Sequence, residues 1–466
     1  MARQKVVYTK LVWIASIAYF MQSLDATILH TALPSIANSI GGQALNMQAV
    51  IISYVMMVAV LSPLTGWLAD RFGTRRVFSS AIIIFSLGSL LCACANSLPF
   101  MIAARSIQGI GGAMMMPVAR LILLRAYPKD ELLHVLNFVT IAGLIGPIAG
   151  PLIGGIITTY ASWKWIFLIN LPLGLIGLLV TYRDVPDFRQ PTCQLDRKGC
   201  LLLSVGLLIF TFSLEQTNHR DGGLGLSLLL LLLGSLLLVL YVFHARQCGD
   251  PLFDLNIFRI KTFSIGVSSN LLTRLGVTCV PLMVPLMLQT ALGHTPLYAG
   301  LLVFHMAIGA LIIKPFIPAI LNRWRYRKTL ITANLVSGLL IGLLSVPVIH
   351  ETSLLIAAVL FILGIANSIQ FTAMNTLTLC DLSDHNASAG NTLLVICQLV
   401  ALSFSLTLGA ALLQIFQNVE GAPVMGFRYV FLCLGGLTWL SCILYLLLKN
   451  GDGHQLLEYD DVVEFK

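Results

Sequence analysis

Between Leu11 and Pro34 the chain reads LVWIASIAYFMQSLDATILHTALP. A run of about 20 apolar residues crosses a bilayer whose hydrocarbon core is about 30 Å thick, and this stretch is long enough. It holds one ionised side chain, Asp25. A carboxylate at that depth costs roughly 2.5–3.5 kcal/mol to insert, so it faces a partner or a cavity rather than lipid. Two readings follow: a polar residue paired inside a helix bundle for structural reasons, or a charged site around which the rest of the chain is built.

Composition extends this reading to the whole chain. Of 466 residues, 57% are hydrophobic and 10% charged, and the mean hydropathy is +0.89. A soluble domain carries about 25% charged residues, so no soluble fold could cover this much apolar surface. Fourteen apolar segments of spanning length lie between residues 11 and 448, among them 199–216, 296–320 and 328–349. The expected fold class is an all-α membrane protein with 14 transmembrane helices. The first run ends at Leu33-Pro34 without a small-residue cleavage site, so it reads as an uncleaved helix.

The net charge of +8 could suggest nucleic acid, but the positions of the charges argue for membrane topology and against that partner. With the N-terminus inside, only Lys164, Arg220 and Arg428 fall in outer loops, and Arg105, Arg274 and Lys314 lie within helices. The other 22 of the 28 lysines and arginines fall on the inner side, as the positive-inside rule requires. Both termini are therefore expected in the cytoplasm. The acidic tail (Glu458, Asp460, Asp461, Glu464) reads as a solvated end.

The ten cysteines form no framework, and Cys193 and Cys200 lack the partners of a zinc site, so no metal or cofactor is expected. No GxxxxGK[ST] nucleotide loop occurs. A membrane-embedded enzyme would need acids, histidines or cysteines clustered at one interface, and Asp25 is the only acid well away from an interface. A sensor would carry an appended signalling domain, and no polar insert exceeds Arg183–Lys198.

A faint internal repeat is visible. Gly66-Trp67-Leu68-Ala69-Asp70-Arg71-Phe72-Gly73-Thr74-Arg75-Arg76 joins the second and third segments. Pro318-Ala319-Ile320-Leu321-Asn322-Arg323-Trp324-Arg325-Tyr326-Arg327-Lys328 joins the tenth and eleventh. Duplicated halves around a central site are a common plan for carriers. The expected organisation is a six-helix bundle over 1–182, two extra helices with flanking loops over 183–261, a second six-helix bundle over 262–449, and a tail over 450–466.

The first of these loops resembles the signature loop of the major facilitator superfamily. Gly66 and Gly73 suit close approach and a sharp turn. Asp70 could meet a helix N-terminus, where negative charge is favoured by about 0.3–1 kcal/mol, with Arg71, Arg75 and Arg76 as an opposing charge network. The resemblance implies that this cluster latches one conformation. Leu24 to Ile28 with Ala32-Leu33-Pro34 resembles the first-helix motif of the family's fourteen-helix drug:proton antiporters, although His30 stands where asparagine is expected. The run Arg105-Ser106-Ile107-Gln108-Gly109-Ile110-Gly111-Gly112-Ala113 resembles their fourth-helix motif, whose arginine is implicated in proton coupling. Ser162 to Asn170 with Pro172 and Gly174 resembles their sixth-helix entry. Gly146-Pro147, Gly150-Pro151 and Gly154-Gly155 match the antiporter motif. Independently of the resemblance, glycines at i, i+4 and i+8 share one helix face and allow close packing.

The resemblance implies a monomeric proton-coupled exporter of small molecules, often cationic drugs. Depth supplies a check. At 1.5 Å per residue Asp25 lies about 20 Å from the inner edge and Arg105 about 10 Å from the outer edge, which is the same level in a core of about 30 Å. The two could pair. Arg274 lies about 18 Å in and is expected to face the substrate cavity, whereas Lys314 either joins it or extends to the interface. Against one deep acid stand these cations, so an organic anion, such as a carboxylate or metal–carboxylate complex, is the alternative substrate.

Overall fold

The computed structural model describes residues 2–190, 195–216, 224–249, 251–346, 353–420, 423–449 and 451–453. The acidic tail beyond 453, Cys193 and Arg220 lie outside these residues. Regular structure among the described residues is helical throughout. Backbone groups in hydrocarbon find no water, and a helix pairs them within its own segment.

Twelve described helical stretches are long and apolar enough to cross a membrane, by length and composition. The difference from fourteen has two sources. Residues 197–216 form a helix but are not among the twelve, and the expected tenth and eleventh segments fall in one stretch, Pro296–Leu343.

The chain divides into two compact units. The first comprises Met1–Gln216, Gly222–Tyr241 and His294–Gly300; the second comprises Thr217–Asp221, Val242–Gly293 and Leu301–Lys466. In the first, α1 (Ala2–Ile40) lies along α6 (Lys129–Tyr160). The glycine face sets this contact. A Cβ at Gly146 would sit 2.1 Å from Ser23 Oγ, at Gly150 2.2 Å from Thr27 Oγ1, and at Gly154 2.4 Å from the Ile28 carbonyl oxygen. Thr27 and Thr31 then donate to the carbonyls of Gly146 and Pro151, each at 3.3 Å.

Around these helices stand α2 (Gln48–Leu61), α3 (Thr65–Phe72), α4 (Thr74–Ala93), α5 (Leu98–Ala126), the short α7 (Trp165–Leu168), α8 (Asn170–Asp184), α9 (Arg197–Gln216) and the first part of α10 (Leu224–Gln247). Pro117 inside α5 has no N–H to offer the Ala113 carbonyl. Thr65 Oγ1 donates to that carbonyl at 3.3 Å, and Gln22 Oε1 accepts the Met116 N–H at 3.2 Å, so two neighbouring helices supply partners where the proline disturbs the ladder.

The second unit contains α11 (Lys261–Val277), α12 (Val280–Leu286), α14 (Ile317–Leu343), α15 (Ser353–Leu379), α16 (Asp384–Glu420), α17 (Pro423–Leu446) and most of α13 (Pro296–Ile312). Here α11, α14 and α15 pack on α17 through polar contacts. Thr273 donates to Ser441 at 2.9 Å, Asn334 Nδ2 donates to the Thr438 carbonyl at 3.2 Å, and Gln370 Nε2 donates to Tyr445 Oη at 3.2 Å. At the C-terminal end of α17, Lys261 and Arg327 donate to the carbonyls of Leu447 and Leu446, where cations meet the negative helix end.

The repeat has a backbone counterpart. Gly73 has φ +96° and ψ 141°, and Arg325, at the matching position, has φ 59° and ψ 161° inside α14. Arg325 is the one described non-glycine residue with positive φ.

Candidate functional site

Asp25 lies in the middle of α1 with 1% of its surface exposed, and Arg105 on α5 is fully buried. Arg105 Nη1 donates to Asp25 Oδ2 at 2.6 Å. The depth argument from sequence put the two residues at one level, and the structure brings their side chains into contact. The arginine reaches it because α5 packs closely on both flanks. A Cβ at Gly109 would lie 2.7 Å from the Tyr54 carbonyl of α2, and one at Gly111 would lie 2.4 Å from the Phe85 nitrogen of α4.

Two amides complete the cluster. Gln108, one turn after Arg105, accepts from Arg105 Nη1 at 2.6 Å and donates through Nε2 to Asp25 Oδ1 at 2.8 Å and to Ser89 Oγ at 2.7 Å. Asn170, at the start of α8, donates to the same Asp25 oxygen at 3.3 Å and to Ser89 at 3.2 Å. Arg105 Nε donates to the Val50 carbonyl at 3.2 Å, and its guanidinium lies 4.3 Å from the centroid of the Tyr54 ring. Asp25 therefore accepts from three side chains. One cation and two amide donors, all buried, surround the carboxylate. Moving Arg105 away would leave a buried carboxylate without its counter-ion, which is costly.

Gln108 and Asn170 stood inside motifs quoted from sequence, yet sequence reading assigned neither a role. The available signal was an amide on an otherwise apolar face. Ser89 and Tyr54 had none.

The loop residues are arranged differently from the sequence expectation. Asp70 forms an ion pair with Arg125 of α5, rather than with Arg71, Arg75 or Arg76. Arg71 stacks over Trp67 and Phe72, Arg75 lies 6.0 Å from the Tyr182 ring, and Arg76 is exposed. At the N-terminus of α4 the acceptor is Asp187, whose Oδ1 takes the Arg75 N–H at 3.2 Å. At Gly66 a Cβ would meet nothing within 4 Å, while at Gly73 it would lie 2.1 Å from Asp187 Oδ1.

Of the antiporter-motif residues, Gly155 faces away from α1. A Cβ there would lie 2.7 Å from the Pro296 carbonyl, in the segment 294–300 of the same unit. In the second unit, Arg274 on α11 is partly buried. It donates through Nε to Asn270 Oδ1 at 2.8 Å and lies 5.1 Å from the Phe371 ring. It forms no ion pair with any described residue. Lys314 lies in the short turn Lys314–Phe316 between α13 and α14 and is half-buried.

Two stretches, residues 15–246 and 266–461, match the family model described as Major Facilitator Superfamily. The chain belongs to the major facilitator superfamily. Among its relatives, proteins named "Putative multidrug resistance protein MdtD" from Escherichia coli O7:K1 (strain IAI39 / ExPEC) and Shigella sonnei (strain Ss046) are each 40% identical over 452 residues, covering 95% of this chain and 95% of each relative. Solved structures of other proteins share the fold at low identity. The peptide transporter POT in complex with sulfate superposes with TM-score 0.70 at 13% identity, over 94% of each chain. A D-xylose-proton symporter does so with TM-score 0.69 at 13% identity, over 96% of this chain and 99% of its own. As a superfamily member the chain is a multi-pass membrane protein that transports small molecules and is not an enzyme.

Proposed function

We propose that this transporter is a proton-coupled exporter, an antiporter of the multidrug type. The observation that carries the reading is the buried Asp25–Arg105 pair with its amide donors Gln108 and Asn170. A carboxylate so enclosed has one counter-ion, and a rearrangement that parts the two would leave each buried charge unpaired, which is the physical basis for coupling transport to a proton. The named activity of the relatives supports drugs as cargo. The carrier works as a monomer in a bacterial inner membrane with both termini cytoplasmic, and its parts are the bundle 1–182, the extra helices 183–261, the bundle 262–449 and the tail. In inverted vesicles, Asp25→Asn should abolish dye-linked proton movement. Proton movement at the normal rate in that variant would show that Asp25 is not the coupling acid.

A second reading concerns the charge of the cargo. Among the described residues Arg274 has an amide and an aromatic ring for company but no ion-pair partner, and Asp25 is committed to Arg105 within the first unit. An arginine in hydrocarbon without a counter-ion is costly. An organic anion would supply one. Transport of one cationic dye and one organic anion, compared in the same vesicles, separates the two.

A further inference from the structure

Residues 185–190 follow α8 and precede the extra helices, and they are bound to the signature loop along most of their length. Thr74 N–H donates to the Phe188 carbonyl at 3.0 Å, and Thr74 Oγ1 donates to the Pro186 carbonyl at 3.3 Å. In return Phe188 N–H donates to Thr74 Oγ1 at 3.1 Å, and Gln190 N–H donates to the Asp70 carbonyl at 3.4 Å. Asp187 accepts the Arg75 N–H at the first turn of α4 and pairs with Arg189 at 3.3 Å. The place is reserved for it: Gly73, bent at φ +96°, leaves room that a Cβ would take from the Asp187 carboxylate.

We propose that Asp187 is a positioning residue of the conformational latch, and that the segment 185–190 is a strap holding the signature loop in register with Asp70. The contact is chemically specific. A carboxylate accepting a first-turn N–H satisfies one of four orphan donors and sits at the positive end of the helix. Thr74 contributes a side chain and a backbone N–H to the same strap. One helix end and one connecting segment thus move as a unit. The strap leads onward to the chain that begins α9, where Ser204 Oγ of that helix donates to the Val60 carbonyl of α2 at 3.3 Å. The first of the extra helices, α9, is thus bonded to α2 of the same unit.

This inference rests on the latch reading of Asp70, and the test keeps the two apart. Full-length protein carrying spin labels at exposed Glu131 and Lys328 would be reconstituted, and transport rate and the distance distribution recorded for Asp70→Asn, Asp187→Ala, Asp187→Asn and the pair Asp70→Asn with Asp187→Ala. Asp187→Ala should slow transport with KM unchanged and shift the ratio of conformers about five-fold, the effect of losing a capping acceptor. Asp187→Asn keeps an acceptor oxygen for the Arg75 N–H and should fall between Asp187→Ala and the parent. The double variant should be no slower than the slower single one, because both act on one element. If Asp70→Asn slows transport while both Asp187 variants match the parent in rate and distances, the strap proposal is overturned and the latch reading stands. If no variant changes either measurement, both fail. If the Asp70 and Asp187 effects multiply, the two act separately and the strap proposal is overturned.

Discussion

Replacing Asp25 with asparagine tests the buried cluster most directly. From sequence alone the change leaves insertion and expression intact, since the helix only becomes more apolar. The structure adds a cost in stability. Asp25 Oδ2 accepts from Arg105, and Oδ1 accepts from Gln108 and Asn170. An asparagine has one oxygen and one NH₂. With its oxygen toward the amides, the NH₂ faces a guanidinium; with its oxygen toward Arg105, the NH₂ needs a neighbouring amide to turn. In either arrangement the arginine keeps a buried charge without its counter-ion. Breaking a buried pair from one side costs about 3–5 kcal/mol. At about 2–4 °C per kcal/mol for a unit of 150–250 residues, the purified variant should unfold roughly 6–20 °C lower. Arg105→Gln should cost a similar amount. The double variant Asp25→Asn with Arg105→Gln removes both charges and should recover most of the loss, a coupling of several kcal/mol in a double-mutant cycle. It should still show no proton-linked transport. Thermal unfolding followed by loss of the monodisperse peak, together with proton movement in vesicles, reads both quantities. Additive losses in the double variant, or an unchanged midpoint for Asp25→Asn, would refute the reasoning.

Three further outcomes are expected. Asp70→Asn breaks the pair with Arg125 and should slow transport while leaving the order of preferred substrates unchanged; a changed order at a normal rate would contradict it. Arg274→Ala should weaken binding of an organic anion by about 1.5–3 kcal/mol, the scale of a hydrogen bond to a charged group, and leave a cationic dye unaffected or bound better. Loss of dye export with anion export intact would sink that charge argument. Arg325→Gly should raise the unfolding midpoint, because backbone at φ 59° and ψ 161° costs about 1–3 kcal/mol for a side-chain residue, and glycine gives back about 0.5–1 in unfolded-state entropy. A lower midpoint would show that the bend is not strained.

The legible part of this molecule is the part where charge is conspicuous. Asp25 and Arg105 announce themselves because an ionised group in an apolar run needs a partner, and a rise of 1.5 Å per residue is enough to match their depths. The glycine spacing at 146, 150 and 154 announced a packing face but not its occupant, which is the helix that carries Asp25. The amides Gln108 and Asn170 were harder, because a neutral polar side chain in a helix has several satisfactory fates and the sequence does not choose among them. The pairing of Asp70 with Arg125 joins residues 55 apart in the chain, and that of Arg75 with Asp187 joins residues 112 apart; neither has a local pattern.

The two signature loops show where a pattern can be trusted. Asn322 and Arg323 stand where Asp70 and Arg71 stand, but the informative match is Gly73 with Arg325, where the residues differ and both have positive φ with extended ψ. Glycine adopts positive φ freely, and arginine does so only when the surroundings impose it. Tyr326, the next residue, is buried at 3% exposure among Leu330, Met374 and Leu377, so the chain beyond the bend is anchored before the arginine can relax. The bend is therefore a demand of the helix arrangement on both loops, met in the first by a residue suited to it and in the second by packing alone. It follows that the acid cluster at Asp70 and Asp187, which has no acidic match at Asn322, is what distinguishes the first loop; the turn itself is common to both halves.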